Sequence, residues 1–276
     1  MKTKTKYTAK QPDSKGHIAY TAEENAVWKI LYDRQIALVQ RYACPEYCEG
    51  LEIINMPKDR VPQLADISNA LRPLTGWSVV PVPALITAEA FFTLLANKQF
   101  PAATFIRIRE ELDYLEEPDI FHEFFGHCPM LTNKIFADFM QKYGELTLSF
   151  PDEKDRELLA RLFWFTVEFG LIQTKKGPRP YGGGILSSFG ETQYCVDDAK
   201  PERQSFDVLN VLRTPYRIDI MQTVYFVIQN FEELFDLVRD RARLAHWLSE
   251  SKRLGEFAPT FPTQKYSHEN DEWVTC

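Results

Sequence analysis

The residues best equipped for chemistry in this chain lie in one short stretch, PDIFHEFFGHCPM (118–130). His122 and His127 stand five apart, and Glu123 directly follows the first. The chain has only 5 histidines, and two of them share this segment with Phe121, Phe124 and Phe125. A single histidine among phenyl rings is often a satisfied core residue; two with an adjacent acid point to a metal ion. The zinc-protease motif H-E-x-x-H spaces its histidines by four, with the glutamate as base. Here the spacing is one residue longer. On an ideal helix, residues four apart share a face and residues five apart diverge. Bringing both imidazoles to one ion therefore requires a locally widened backbone, and a π-type turn around Gly126 supplies it.

An ion held by two imidazoles needs a third protein donor. RLFWFTVEFGLI (161–172) offers Glu168, alone among Phe163, Trp164, Phe165, Val167 and Phe169. A carboxylate buried without a partner costs several kcal/mol or changes protonation, so it takes an arginine, a metal or contact with water. A buried salt bridge is the plain alternative. With His122 and His127, Glu168 would complete the two-histidine, one-carboxylate set of non-haem Fe(II) oxygenases, which leaves coordination positions open. Zinc fits the same donors but has no redox chemistry. Three readings stand at this point: an iron oxygenase, a zinc hydrolase, and a non-catalytic helical binding protein whose histidines are core.

Three further stretches bear on a site. FIRIREELDY (105–114) puts Arg107 and Arg109 two apart in a strand-like run, and an alternating strand turns both to one face. A guanidinium fork there would grip a carboxylate; a solvated edge charge is the alternative. RPYGGGILSSFGE (179–191) has three consecutive glycines before an apolar pair and two serines. It lacks the G-K-[ST] of a phosphate loop and reads as a tight turn that lets backbone approach a ligand closely. CPEYC (44–48) has no second cysteine pair nearby. With 5 irregularly spaced cysteines in all, neither a disulfide framework nor a zinc site is expected there.

These residues need elements to hold them. TAEENAVWKILYDRQIALVQRY (21–42) predicts a helix, with Thr21 as cap, acids in the first turn and an apolar stripe through Val27, Leu31 and Leu38. VPQLADISNALRPLTG (61–76) predicts a shorter helix stopped by Pro73 and Gly76. WSVVPVPALI (77–86) predicts a short edge strand, TAEAFFTLLANKQF (87–100) a capped helix and ATFIRI (103–108) a strand. The histidine segment begins with a proline at a helix start. Residues 133–150, 152–172, 200–214 and 219–248 read as further helices, the second acidic at its front as the dipole prefers. The expected fold class is mainly α with a few short strands (α+β). A polar N-terminal arm over 1–20 precedes a single domain over 21–276.

Composition narrows the partners. Hydrophobic residues are 45% and charged residues 26%, as in soluble globular proteins. A net charge of −7 with scattered Lys and Arg argues against nucleic acid. The N-terminal stretch has no apolar core of a secretory signal, and no run reaches membrane-spanning length, so a cytoplasmic protein without a membrane partner is expected.

In order and spacing, PDIFHEFFGHCPML, WFTVEFGLI and YGGGILSSFGE resemble the pterin-dependent aromatic amino acid hydroxylases, over a core of about residues 65–245. The resemblance implies that family's catalytic-domain fold in its compact, single-domain bacterial form. The regulatory region and C-terminal assembly helix of animal members are not expected; a monomer or small homo-oligomer is. It implies Fe(II) held by His122, His127 and Glu168, tetrahydrobiopterin or a related tetrahydropterin as cofactor, and O2 as co-substrate. The implied reaction is hydroxylation of L-phenylalanine to L-tyrosine, with tyrosine or tryptophan hydroxylation as alternatives within the family. Arg107 would pair with the amino acid's carboxylate, supported by Ser187 and the Gly184 turn. Trp164 and Phe169 would shape the ring pocket, with Pro118 at its edge. Phe91 would stack on the pterin, Ala160 would line the pterin side, and Glu123 would take a catalytic place facing pterin and iron. Phe163 stands where many members have tyrosine, and residues 77–89 depart from animal members, so no pterin contact is carried onto that stretch.

Overall fold

Thr21 opens α1 (Ala22–Tyr42) with a reciprocal cap: its hydroxyl accepts from Glu24 N at 3.2 Å, and the Glu24 carboxylate accepts from Thr21 N at 2.7 Å. The structure, a computed structural model, describes residues 7–83, 86–115, 117–262, 264–267 and 272–275. Residues 1–6 of the expected arm, and Cys276, lie outside them. Residues 7–20 carry no helix or strand yet are fastened to the body. Ile18 is buried, Tyr20 donates its hydroxyl to Thr104 O at 2.9 Å, and Thr104 donates its own to Lys10 O at 2.7 Å. The loosely held arm suggested by polarity is thus tied down in its described part, through hydrogen bonds to backbone carbonyls and through Ile18, which joins the main core.

After α2 (Pro45–Ile54) comes α3 (Leu64–Thr75). Pro73 does not stop α3. It lies exposed in the last turn, where one missing N–H is tolerated, and the left-handed Gly76 (φ 81°) ends the helix. β1 (Ser78–Val82) and β2 (Gln99–Ala103) pair in parallel, with α4 (Ala88–Ala96) as the crossover. The strand expected over 103–108 shares only Ala103 with β2, which lies otherwise upstream. Residues 104–108 have no strand partner and run into a 3-10 turn at Arg109–Glu111. Arg107 and Arg109 therefore do not share a face. Arg107 is buried on Asp119, whereas Arg109 is exposed and paired with Glu23.

A π-helix at His122–His127 and a 3-10 turn at Cys128–Thr132 lead into α5 (Lys134–Leu148). The single long helix expected over 152–172 is three elements: α6 (Glu153–Phe163), a second π segment (Trp164–Glu168) and β3 (Leu171–Thr174). β4 (Gly177–Pro180) pairs antiparallel with β3, and short α7 (Gly183–Leu186) and α8 (Phe189–Asp197) follow. β5 (Glu202–Ser205), α9 (Val208–Arg213), β6 (Val224–Ile228), α10 (Phe231–Arg239) and α11 (Arg241–Leu254) come next, before a hairpin of β7 (Gln264–Ser267) and β8 (Glu272–Thr275). The four-stranded sheet has the order β4-β3-β6-β5, with β6 parallel to both neighbours. β6 was expected as helix. Every residue of VYFVI is buried, and such a short apolar run lacks the alternation that marks a half-exposed strand.

The fold is mainly helical with a few short strands, as expected. Phenyl rings dominate the main core: Phe121 stacks on Phe125 (4.8 Å between centroids) and meets Trp28 edge-on at 5.3 Å. This packing sets the rear of the histidine segment. Among the described residues, no helix is long and apolar enough to cross a membrane.

Candidate metal centre

Asp119 starts the site. Its fully buried carboxylate accepts from His122 N at 3.1 Å, capping the turn that carries the first histidine. It also grips Arg107 from Nε at 2.8 Å and Nη2 at 2.9 Å, and accepts Arg107 N at 3.0 Å. Burial alone would raise this carboxyl, but the Arg107 charge and these donors hold it below the usual range. The backbone then widens into the π segment, whose i→i+5 bonding brings residues five apart onto one face. His122 Nε2 and His127 Nε2 lie 3.0 Å from each other. The turn expected around Gly126 is present. A Cβ on Gly126 would sit 2.6 Å from Gly183 O, so only glycine lets α7 press against this segment.

Glu168 arrives on the second π segment, closed by a Phe169 N to Trp164 O bond of 2.8 Å. Its Oε2 lies 3.3 Å from His127 Nε2 and 3.7 Å from His122 Nε2. Ser187 donates its hydroxyl to Gly183 O at 2.8 Å, so at 2.9 Å it accepts from His122 Nδ1. That bond protonates Nδ1 and leaves the Nε2 lone pair free.

Two carboxyls compete for the role of third donor. An oxygen of Glu123 and a nitrogen of each histidine fall within 4.8 Å of one another. Burial, then Glu168 and Asp119, push Glu123 well above the ordinary carboxyl range, toward its neutral form. Glu168 goes the other way. Burial would raise it, but the electrostatic pull of His127 and His122 at the low pH where this carboxyl titrates, a His127 hydrogen bond and the Gly184 N–H outweigh that and hold it at about 2. Burial lowers His122 to about 4, leaving it neutral. An anionic oxygen and a free imidazole nitrogen are what a cation needs. Two histidines with Glu168 therefore fit a divalent metal, and Glu123 stands beside them as a neutral acid.

A cavity of about 480 Å³ opens onto this cluster. Its wall includes Arg107, Pro118, Trp164, Phe169, Gly184 and Ser187, together with His122 and Glu168. Every residue expected on the substrate side is therefore gathered here. Trp164 and Phe169 lie 4.5 Å apart between centroids, tilted by 33°. Among the described residues, the lining includes neither Phe91 nor Ala160. Phe91 is half-buried on α4, edge-on to Phe163 at 5.5 Å, and Ala160 is exposed on α6 one turn before Phe163. A larger surface groove of about 730 Å³, around Arg41, Glu46, Lys176 and Phe231, holds none of these donors, so volume does not mark the site.

Sequence reasoning missed Asp119, Gln222 and Glu191. Asp119 had a readable signal, an acid three residues ahead of a helical histidine. Gln222 accepts from Trp164 Nε1 at 3.0 Å across 58 residues of chain, and no local pattern announces that.

A family model for biopterin-dependent aromatic amino acid hydroxylases matches residues 1–249. The chain belongs to this family. Among its relatives, the phenylalanine-4-hydroxylase of Pseudomonas aeruginosa is 52% identical over 266 residues, covering 96% of this chain and 99% of the relative. The cold-active phenylalanine hydroxylase of Colwellia psychrerythraea 34H, solved in its apo form, superposes with a TM-score of 0.90 at 49% identity, covering 93% of this chain and 98% of that one. The phenylalanine hydroxylase of Chromobacterium violaceum, solved with iron(III) and the oxidised cofactor 7,8-dihydrobiopterin, superposes with a TM-score of 0.83 at 42% identity and 91% coverage of both chains. The hydroxylase family thus includes proteins that share nearly the whole length of this chain.

Proposed function

We propose that this hydroxylase converts L-phenylalanine to L-tyrosine with O2 and a tetrahydropterin, at Fe(II) held by His122, His127 and Glu168. The observation that carries the reading is the meeting of His122 Nε2, His127 Nε2 and Glu168 Oε2 at 3.0–3.7 Å, with His122 and Glu168 on the wall of a cavity that aromatic rings also line. When bound, iron and tetrahydropterin supply the reductive activation of O2. The chain's own residues orient and enclose.

Asp119 occupies the Nε/Nη2 edge of Arg107, which leaves the Nη1 donors for the substrate carboxylate. Trp164 and Phe169 hold the ring, with Pro118 at the edge. Ser187 keeps His122 in the tautomer that presents Nε2, and the Gly184 N–H holds Glu168 in its anionic form. Phe91, Ala160 and the neutral Glu123 form the pterin side, where Glu123 presents an acid proton close to the metal. The phenyl rings behind the histidines exclude water from the reacting volume.

Residues 21–276 act as one catalytic domain in this reading, in the cytoplasm, with no nucleic acid or membrane partner, as a monomer or small homo-oligomer. Gel filtration and cell fractionation test those parts. The central test is turnover: ferrous-reconstituted protein should form tyrosine from phenylalanine only with O2 and tetrahydropterin present. Activity indifferent to pterin, or hydrolysis supported by zinc, overturns the reading. Tyrosine and tryptophan, offered as alternative substrates, decide which ring is preferred.

A further inference from the structure

Gln222 is buried and its side chain bonds in two directions. Oε1 accepts from Trp164 Nε1 at 3.0 Å, and Nε2 donates to Arg217 O at 2.9 Å and Ile220 O at 3.2 Å. The amide has one workable orientation, because a reversed group would set N–H against N–H at the indole and oxygen against two carbonyls. Its backbone is pinned as well. Gln222 N donates to Glu191 Oε1 at 2.9 Å, and the same oxygen accepts from the Tyr225 hydroxyl. Glu191, the acid that ends the glycine-serine motif, is itself buried on α8.

One side chain thus joins the Trp164 wall of the cavity to the loop at its mouth, where Ile218, Ile220 and Met221 line the opening. Tyr216 stacks on Trp164 at 4.4 Å and 17°, and Phe169 packs on it at 4.5 Å. Flat ring contacts set the plane of an indole but resist sliding within that plane only weakly. The hydrogen bond from Nε1 is what fixes the in-plane position.

We infer that Gln222 is a positioning residue for the aromatic substrate, holding the Trp164 indole in register with the cavity mouth. The inference rests on the proposed function, in which Trp164 shapes the pocket for the substrate ring. The experiment measures phenylalanine affinity by calorimetry on the iron-loaded protein without pterin, and KM and kcat in turnover. Gln222→Leu should weaken phenylalanine binding about tenfold and raise KM likewise, with a smaller change in kcat and with iron content unchanged. In a Trp164→Phe background the same change should cost less than about twofold, because the donor is already gone. Undiminished affinity in Gln222→Leu overturns the inference, as does a full tenfold loss in the Trp164→Phe background. Should Gln222→Leu fail to fold, replacing Trp164 with its benzothienyl analogue removes only the N–H. A loss of about tenfold supports the inference, and wild-type affinity defeats it. If the unsubstituted protein neither binds nor hydroxylates phenylalanine, the proposed function itself falls.

Discussion

Glu123 and Glu168 both reach the histidine pair, yet their neighbours drive their protons in opposite directions. Glu168→Gln, near-isosteric but neutral, should therefore cost more iron affinity than the roughly 10–100-fold typical of an outer-sphere change, while Glu123→Gln should keep iron; metal analysis after dialysis separates them. Arg107→Lys should raise the phenylalanine KM about tenfold with iron retained. A lysine cannot both fill the Asp119 fork and reach the substrate, and unchanged kinetics would remove Arg107 from the substrate site. Glu191 predicts a pH effect. Burial lifts its carboxyl to about 7, against donors from Tyr225 and Gln222, while the unfolded chain titrates near 4.5. Between those values the folded state binds the extra proton. Its contribution to stability is thus full below about pH 4.5 and is lost as pH rises through about 7. Glu191→Gln should flatten the decline of Tm across that window; identical profiles for the two proteins would refute the assignment.

At the scale of elements, both donor-bearing segments are π turns, and both are braced by the glycine run 182–184. A Cβ on Gly182 or Gly183 would overlap the Glu168 carbonyl or the His127 ring, and one on Gly126 would press on Gly183 O. The widened helices therefore depend on α7 lying backbone-to-backbone against them. Gly126→Ala should cost about 1–3 kcal/mol in denaturant unfolding and reduce iron occupancy with it. Retention of both would show that the segment tolerates displacement of α7.

For the whole molecule, the path from the arm to the site is short in space and long in sequence. Lys10 and Tyr20 hold Thr104, three residues ahead of the buried Arg107, and Ile18 bonds its backbone to the Gln63 side chain at the start of α3. The arm is part of the packed body from which Arg107 reaches the cavity. Ile18→Ala should lower unfolding free energy by about 2–5 kcal/mol, as other buried isoleucine truncations do. A cost below about 0.5 kcal/mol would mean that the arm only rests on the surface.

Local order in the residues was enough to determine the helices with good caps, α1 and α4 among them, the mainly helical class, and the need for a π turn between His122 and His127. Spacing along the chain carries that information, because helical periodicity and cap chemistry act within a few residues. The motifs, by their resemblance, carried the family. Tertiary structure alone decided the rest. β6 is a strand because it is buried between β3 and β5, and its uniform apolar run fits a helix equally well until those neighbours exist. Arg107 turned inward, away from Arg109, because Asp119 waits twelve residues on. Glu168 rather than Glu123 carries the charge because His127, His122 and the Gly184 N–H surround it. Partners such as these come from distant parts of the chain, and the balance between burial cost and pairing exists only once the fold has brought them together.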